Sequence, residues 1–298
     1  MIGMIRGVIW LGLWAGVGAL AGSFAGALHP VGDSLAVFRV PVAMGVVALS
    51  VLLSLSGHRR SGLIFLSVAA TLVIPAAMAG LAPSATPVAG VVLYQKNLLY
   101  RIQDPALVIA DIRITDPDVL TLQEVSGRGQ MVLEQVRDRL PSQIQCDSMR
   151  VGDVAIASRW PMVPGTAQCP PAPGLAVMQV EGPQGPLWLV ALHLRWPFPD
   201  GQAAQLRDIL PFLETLEGPV LLGGDFNMVP WSHGLRQIAR VTGSRKVGAA
   251  PSTFPRFHPW VRLPIDHVFA PGQGATELRP LLGSDHYGLV ARIELDAD

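Results

Sequence analysis

Polar side chains that could do chemistry stand beside short aliphatic runs at five places in the chain. Such groups are costly next to buried strands unless they are paired or bind a metal. Carboxylate oxygens are the ligands that Mg²⁺ prefers, and histidines exchange protons near neutral pH. One run is followed by Asp and Asn two residues apart, which lie on the same side of an extended chain. The residues are Glu124, His193, Asp225 with Asn227, Asp266, and Asp285 with His286.

Each of these residues alone has an ordinary structural explanation. A glutamate after a strand commonly lies in a solvated turn, and Asp-Phe-Asn after two glycines can form an Asx turn. A histidine in a strand is commonly a hydrogen-bonded core residue. Five separate structural explanations would be needed within one domain to account for all of these residues. We therefore favour a single shared functional site.

Short strands with a few helices between them must position these residues. Helical patterns cover Gln130–Leu140 and Gln202–Leu216. Many short strands and few helices indicate an α/β or α+β domain with packed sheets. The predicted strands are Val91–Tyr94, Val119–Leu122, Val154–Ala157, Leu187–Leu192, Val220–Leu222, His267–Phe269 and Leu289–Ile293.

The chain combines two parts of different composition. Its 298 residues are 50% hydrophobic and only 15% charged, and the mean hydropathy is +0.40. Soluble domains carry about a quarter charged residues, so a wholly water-soluble or disordered chain is excluded. Residues 1–84 hold four of the 22 basic and one of the 22 acidic residues. We predict a membrane anchor over 1–84 and a water-soluble domain over 85–298, joined at a Pro/Ala/Ser-rich connector over 82–89.

Three apolar stretches fill the anchor, each long enough at about 20 residues to cross a hydrocarbon core of about 30 Å. A signal peptide is the alternative for the first stretch, but two more stretches follow it without a soluble gap. We therefore predict three transmembrane helices, over Met4–Leu28, Leu35–Leu55 and Gly62–Leu81.

The charges of the short loops predict the orientation. The loop containing Arg59 and Arg60 is the one concentrated basic site, and such loops stay in the cytoplasm, whereas the loop His29–Ser34 carries only Asp33. We therefore predict a multi-pass protein of the inner (cytoplasmic) membrane. Its C-terminal domain would lie outside, in the periplasm of a Gram-negative cell. There Cys146 and Cys169 would form a disulfide or remain two buried thiols.

Taken in order, the polar motifs resemble those of the endonuclease/exonuclease/phosphatase superfamily, the DNase I-like metal-dependent phosphoesterases, in a layout similar to membrane-anchored bacterial members. The resemblance covers the chain from Val91 to about Glu294. Ala157 departs from the pattern, since Leu is common at its position. The matching segments are Tyr94-Gln95-Lys96-Asn97, Asp118 to Val125, Ile156 to Pro161, His193, Gly224-Asp225-Phe226-Asn227, Ile265 to Phe269 and Ser284-Asp285-His286.

The resemblance implies an α/β (α+β) four-layer sandwich of two packed mixed β-sheets flanked by helices, with the site at one rim. It implies hydrolysis of a phosphate ester by water attack on phosphorus, with Mg²⁺ or Mn²⁺. Such a metal neutralises charge that builds on phosphoryl oxygens and helps to position water. Glu124 would be the principal metal ligand, helped by Asn97 and Asp285, and Asn97 would also contact substrate.

The remaining motif residues would carry the catalytic roles. Asp225 would orient or deprotonate the attacking water, and Asn227 would hold that water or a phosphate oxygen. His193 would donate a hydrogen bond to the phosphate. His286 would be a cationic donor whose protonation Asp266 supports, because a nearby carboxylate favours the charged imidazole. The sequence leaves open which histidine protonates the leaving oxygen.

The predicted partners are a phosphate-ester substrate and the lipid bilayer, which residues 1–84 would contact. The substrate class stays open among nucleic acid, phospholipid and small phosphodiesters, and no oligomeric state is predicted. The soluble domain is slightly acidic with two lysines, Lys96 and Lys246, so its charge does not favour nucleic acid. The arginines between the Asp225 and Asp266 motifs would be a phosphate-binding rim or a solvated face.

Two other function classes compete with an enzyme. A catalytically inert, membrane-tethered binding module of the same fold would not need the full set of acids and histidines. A transporter component would need ionisable residues at membrane depth, and the apolar stretches carry only Arg39 there.

Overall fold

The computed structural model describes residues 2–80, 90–149, 151–257 and 261–296. The predicted connector over 82–89, with the domain boundary at 84, lies outside these ranges, as does Trp260. Within them the chain forms a bundle of apolar helices followed by a mixed domain of helices and strands.

The apolar part holds four helices and a short 3-10 turn. Helices α1, α3 and α4 pack on one another through buried aliphatic side chains such as Leu13, Leu53 and Ala69. The proline at position 75 does not end α4, in keeping with the tolerance of membrane helices for proline. The bounds are α1 Ile2–Gly22, the 3-10 turn Ala25–Ala27, α2 Val31–Val37, α3 Arg39–Leu55 and α4 Arg59–Gly80.

Among the residues that the structure describes, two helices, not the predicted three, are long and apolar enough to cross a membrane. They are α1 and α4, whereas the middle apolar stretch breaks into α2 and α3 with a bend of 66° between them. A third membrane span is present only if α2 and α3 together form a single bent span. At the break Arg39 is buried and donates hydrogen bonds of 2.8 Å to the hydroxyl and the carbonyl oxygen of Ser23, 16 residues earlier. Its guanidinium also lies 3.9 Å from the ring centroid of Phe24.

Thirteen strands and four helices make up the described part of the second domain. Its helices are α5 Ala106–Thr115, α6 Gln130–Val136, α7 Gln202–Leu213 and α8 His233–Val241. Its strands are β1 Val91–Asn97, β2 Val119–Val125, β3 Ser142–Met149, β4 Gly152–Ser158, β5 Leu175–Gly182, β6 Gly185–His193, β7 Val220–Asp225, β8 Arg245–Lys246, β9 Phe254–Phe257, β10 Val261–Leu263, β11 Asp266–Ala270, β12 Gly272–Arg279 and β13 Gly288–Leu295.

Two mixed sheets face each other, as predicted. One has the strand order β12-β13-β1-β2-β4-β3 and the other β5-β6-β7-β11-β8, while β9 and β10 form a separate ribbon. The pairs β1–β2 and β6–β7 are parallel, so their carboxyl ends meet at one edge. This edge is where the polar motifs lie.

The apolar side chains form three layers of core. One cluster fills the space between the sheets, and it includes Leu93, Ile156 and Leu189. A second lies between the five-stranded sheet and helices α7 and α8, and a third between the six-stranded sheet and helices α5 and α6. Helices therefore flank both outer faces, which gives the four-layer arrangement.

Cys146 and Cys169 form a disulfide, which decides between the two alternatives that the sequence left open. The bridge joins β3 to the segment before β5 and closes a loop with a sequence separation of 23 residues. A cross-link of this length stabilises a fold by about 3 kcal/mol, mainly by restricting the unfolded chain.

Reduction of this disulfide is expected to lower the free energy of unfolding by about 3 kcal/mol. Denaturant titration of the oxidised protein, the reduced protein and the Cys146→Ala/Cys169→Ala variant measures this change. The double variant should match the reduced protein and should not respond to reductant. Equal stability of oxidised and reduced protein would contradict the prediction.

Candidate active site

Three of the predicted site residues lie in one row on adjacent strands. His193 pairs with Asp225 in the β6–β7 ladder, and Asp225 pairs with Asp266 in the β7–β11 ladder. The other sheet approaches this row closely, since a Cβ on Gly223 would collide with Thr121 Oγ1 of β2. Polar groups from both sheets therefore meet at the same edge.

The facing sheet contributes Asn97 and Glu124. Asn97 ends β1 beside Gln123 of β2, and the ladder between β2 and β4 is irregular immediately afterwards. At this irregularity Glu124 has a φ of 57°, in the left-handed region that side chains rarely adopt. Gly152 of β4 makes room, because a Cβ there would lie 2.9 Å from the Glu124 carbonyl carbon. Backbone strain of this kind concentrates at functional sites.

The amide of Asn97 bonds one carboxylate in its own sheet and one in the facing sheet. Its Nδ2 donates to Glu124 Oε1 and to Asp225 Oδ2, both at 3.1 Å. Its Oδ1 accepts a hydrogen bond of 2.9 Å from the Leu99 amide. Asn97 thus orients two acids here, and its predicted role as a metal ligand stays a prediction.

His286 and Asp266 form a buried hydrogen-bonded pair. His286 Nδ1 lies 2.9 Å from Asp266 Oδ2, and Gln95 Nε2 donates to Asp266 Oδ1 at 3.1 Å. Burial alone would lower the pKa of His286, but the charges of Asp266 and Asp225 raise it to about 9. Burial likewise opposes ionisation of Asp266, yet the His286 charge and its hydrogen bonds lower the pKa of this carboxyl. The pair is therefore ionic at neutral pH.

Asp225 lies between the two imidazole rings. Its Oδ2 is 3.6 Å from His286 Nε2 and 3.7 Å from His193 Nε2. Burial raises the pKa of Asp225, and the positive charge of His286 opposes that rise. Burial lowers the pKa of His193 to about 3, and the His286 charge acts in the same direction. His193 is therefore neutral beside a cationic His286.

Asn227 is held beside these groups by its backbone and its side chain. Its backbone amide donates to Asp225 Oδ1 at 3.0 Å, its Nδ2 donates to the Leu194 carbonyl at 2.7 Å, and its φ is 49°. One cavity of about 330 Å³ lies at this site, and neither Asn97 nor Asp266 is among its lining residues. Its lining includes the predicted residues Glu124, His193, Asp225, Asn227, Asp285 and His286.

The donor set at the cavity fits a hard divalent cation. Burial raises the pKa of Glu124, the charge of Asp285 adds to this rise, and hydrogen bonds from Tyr100 and Asn97 oppose it. Half-buried carboxylates that face a cavity are stabilised in their charged form by a cation, and oxygen ligands with room for water suit Mg²⁺.

A second group of possible ligands is less suitable for a metal. Ligand atoms of Asp225, Asp266 and His286 lie within 4.8 Å of one another. Nδ1 of His286 is already committed to Asp266, and the protonated ring carries a positive charge that repels a cation. We therefore favour Glu124 and Asp285 as the residues that would hold the ion.

Several residues that support the site were not predicted. Lys96 is buried and its Nζ donates to the carbonyl oxygens of Pro280, Leu281 and His286 at 3.1, 2.8 and 2.6 Å. It thereby fixes the loop that carries Asp285 and His286. The available signal was the polar run Gln95-Lys96-Asn97 at the end of an apolar strand.

Aromatic side chains and one arginine also line the cavity. Trp196 and Phe254 line the cavity, and the Phe254 ring centroid lies 4.7 Å from that of His286. The basic side chain at the cavity besides the histidines is Arg195, which the sequence analysis did not select. His267, from the Asp266 motif, is a core residue bonded to the Met228 carbonyl at 2.8 Å.

Solved structures with this fold come from several organisms. An endonuclease/exonuclease/phosphatase from Beutenbergia cavernae is 19% identical, with a TM-score of 0.54, and the match covers 70% of this chain and 72% of that chain. Danio rerio TDP2 with a single-strand DNA product is 18% identical, with a TM-score of 0.53 and coverage of 68% and 98%. A beta toxin variant from Staphylococcus aureus with bound magnesium ions is 13% identical, with a TM-score of 0.51 and coverage of 69% and 100%.

Sequence comparison finds a family for this chain but no individual curated relative. No curated protein matches the sequence significantly. The sequence model of the Endonuclease/Exonuclease/phosphatase family matches residues 95–286, which begin beside Asn97 and end at His286. This span contains every residue of the cavity's acid, amide and histidine set. The chain therefore belongs to the Endonuclease/Exonuclease/phosphatase family.

Proposed function

We propose that the protein is a divalent-metal-dependent hydrolase of phosphate esters that is held at a membrane by residues 2–80. One observation carries the proposal: acids, the Asn227 amide and two histidines from both sheets line a single cavity. The family consists generally of metal-dependent phosphoesterases, and a neighbour of this fold binds magnesium ions.

The side chains divide the work by charge. Asp225, held by Asn97 and by the Asn227 amide, orients the attacking water and accepts its proton. The raised pKa of this buried carboxyl makes it a stronger base than an exposed aspartate. His286 places a positive charge beside the phosphate, and neutral His193 donates a hydrogen bond. Mg²⁺ or Mn²⁺, bound by Glu124 and Asp285, would supply charge neutralisation at the phosphoryl oxygens.

The full chain in detergent should hydrolyse bis-p-nitrophenyl phosphate or p-nitrophenyl phosphate when Mg²⁺ or Mn²⁺ is present. Chelation with EDTA should stop release of p-nitrophenol, and the faster ester separates a diesterase from a monoesterase. If both esters, DNA and phospholipid all remain intact, the inert binding module becomes the better account.

The Glu124→Gln variant is expected to raise the Mg²⁺ concentration for half-maximal activity by about tenfold or more. Loss of a residue that merely orients a metal ligand already lowers metal affinity by about tenfold. Titration of hydrolysis against Mg²⁺ measures the change. Glu181→Gln alters an exposed glutamate on β5 and serves as the matched control. An unchanged metal titration in Glu124→Gln would show that other residues bind the ion.

We propose that the second domain and the loop before α3 lie on the same, outer side of the membrane. Arg6 donates to the Ser56 carbonyl at 3.2 Å, and the Trp10 and His58 ring centroids are 6.2 Å apart, so the amino end of α1 and the basic loop share one end of the bundle. The residues between α1 and α3 lie at the other end, beside the second domain.

A periplasmic reporter fused after the last residue should therefore be active in a Gram-negative host, because the basic loop at Arg59 and Arg60 retains the opposite end in the cytoplasm. A reporter that works only in the cytoplasm is the control fusion and should be silent. Activity of the cytoplasmic reporter instead would reverse the orientation.

A further inference from the structure

The connecting loop between α1 and α3, which contains helix α2, supplies the amino-terminal cap of helix α8 in the second domain. The capping residue is Asp33 of α2. Asp33 Oδ1 accepts a hydrogen bond of 2.6 Å from the His233 amide, and its Oδ2 accepts one of 3.0 Å from the Gly234 amide. The residue at the cap position, Ser232, makes no capping hydrogen bond with its own side chain. Amides at a helix start need such acceptors, and a carboxylate is favoured there by the helix dipole. The two parts of the chain are therefore docked rather than only tethered.

Two further hydrogen bonds join the same loop to the second domain. Trp231 Nε1 donates to the Ala36 carbonyl at 2.9 Å. Ser34 Oγ donates to the Phe198 carbonyl at 2.8 Å. Phe198 belongs to the segment between β6 and α7, of which Trp196 lines the cavity. The loop thus bonds to the segment that carries Trp196, two residues after that cavity-lining side chain.

The apolar side of α2 packs in the same cluster as Phe254, which lines the cavity. Ala36 and Val37 are buried in a cluster that includes Phe254. The Phe254 ring lines the cavity and lies against the ring of His286. Trp196, with its ring centroid 6.2 Å from that of Phe254, packs on the same cluster. The other members of this cluster are Val229, Leu263, Ile265 and Trp231.

This docking surface adjoins the apolar helices. Helix α3 begins at Arg39, two residues after Val37. Phe198 is 50% exposed with its ring centroid 5.6 Å from that of His29, and Leu28 is 88% exposed. Exposed aromatic and aliphatic side chains at the ends of membrane helices lie at the lipid–water interface. If α1 and α4 cross a membrane, this rule places Phe198, on the segment that carries Trp196, at that interface.

We propose that residues 25–37 dock the catalytic cavity at the bilayer surface, so that its substrate is the phosphate ester of a membrane phospholipid. This inference rests on the proposed hydrolase activity and names its substrate class. One water is consumed per turnover: its oxygen bonds to phosphorus, the bond from phosphorus to the leaving alcohol breaks, and that alcohol takes a proton.

The test uses the full chain reconstituted in vesicles of phosphatidylethanolamine and phosphatidylglycerol with Mg²⁺ or Mn²⁺. Mass spectrometry follows loss of both lipids and formation of their hydrolysis products. Release of p-nitrophenol from bis-p-nitrophenyl phosphate is measured in the same vesicles, and Asp225→Asn provides the inactive reference.

Two substitutions weaken docking without touching the cavity. Asp33→Ala removes the cap of α8, and each hydrogen bond lost is expected to weaken docking about fivefold. Gly26→Val is the stronger change, since a Cβ at Gly26 would lie 2.8 Å from the His233 Cβ. Gly18→Val is the matched control, because a Cβ at Gly18 has no neighbour within 4 Å among the described residues. Asp208→Ala, an exposed acid of α7, is the control for Asp33→Ala.

We expect the wild type to hydrolyse lipid. In Asp33→Ala and Gly26→Val, lipid hydrolysis should fall by about fivefold or more, whereas cleavage of the soluble ester should stay within about twofold of wild type. Both control variants should behave as wild type. Cleavage of the soluble ester with both lipids intact overturns the inference but leaves the hydrolase. Equal losses on lipid and soluble ester overturn it as well, since the loop would then only support the fold. Failure to cleave any ester refutes the proposed function itself.

Discussion

The Asp225→Asn variant is expected to lose about two to four orders of magnitude in kcat on bis-p-nitrophenyl phosphate. Asp225 is 2% exposed, and it is the acid that lies between the two histidines and is oriented by Asn97 and by the Asn227 amide. An amide at this position fills the same volume but cannot accept the proton of the attacking water. Initial rates at saturating Mg²⁺ measure the loss.

The fold of Asp225→Asn should be nearly unaffected. Removal of a buried charge relieves a desolvation cost, and this gain offsets the hydrogen bonds that an amide makes less well. Thermal unfolding in EDTA should therefore differ little from wild type. Asp138→Asn, at an exposed acid paired with Arg113, is the matched control and should keep full activity. Turnover retained in Asp225→Asn would remove this residue from the mechanism.

The Asp266→Asn variant is expected to move the alkaline limb of the pH profile of kcat/KM to lower pH by about one to three units. His286 is held in its charged form by Asp266 and Asp225, which raise its pKa to about 9 against the effect of burial. Without the Asp266 charge the pKa of His286 falls, so the imidazolium is lost at a lower pH. The relative loss of activity should therefore be larger at pH 8.5 than at pH 6.

The pH profile separates this charge effect from simple misfolding. Asparagine still offers its Oδ1 to His286 Nδ1, so that contact of 2.9 Å can persist, whereas its Nδ2 replaces the oxygen that accepts from Gln95 Nε2. A misfolded variant would lose activity equally at all pH values. Glu277→Gln, at an exposed acid, should leave the alkaline limb in place. An unshifted limb in Asp266→Asn would show that another group controls it.

The family and the packed sheets were predictable because their signals are local. Each motif residue follows or begins an aliphatic run, and the runs became β1, β2, β6, β7, β11 and β13. The family match over 95–286 and the two mixed sheets flanked by helices confirm these predictions. The helix pattern over Gln130–Leu140 was too long, since α6 ends at Val136.

The apolar stretch predicted as the middle membrane helix shows where a local signal fails. Hydropathy over Leu35–Leu55 counts apolar residues but does not register what Arg39 contacts. Its hydrogen bonds to Ser23 and its stacking on Phe24 hold the chain in a bend of 66° between α2 and α3. Among the described residues the structure therefore has two helices long and apolar enough to span a membrane, not the predicted three, unless the bent pair acts as one span.

The sequence by itself determined the family, the strand-end positions of the site residues and the division into apolar and polar parts, because composition and short motifs carry this information. Tertiary structure alone decided which side chains meet. Asn97 reaches Asp225 across 128 positions and Asp33 reaches His233 across 200. Contacts at such separations leave no periodic pattern in one sequence, and they depend on sheet register and helix docking. The resemblance already implied a cationic His286, but the burial and the two neighbouring carboxylates that set its pKa are created by folding.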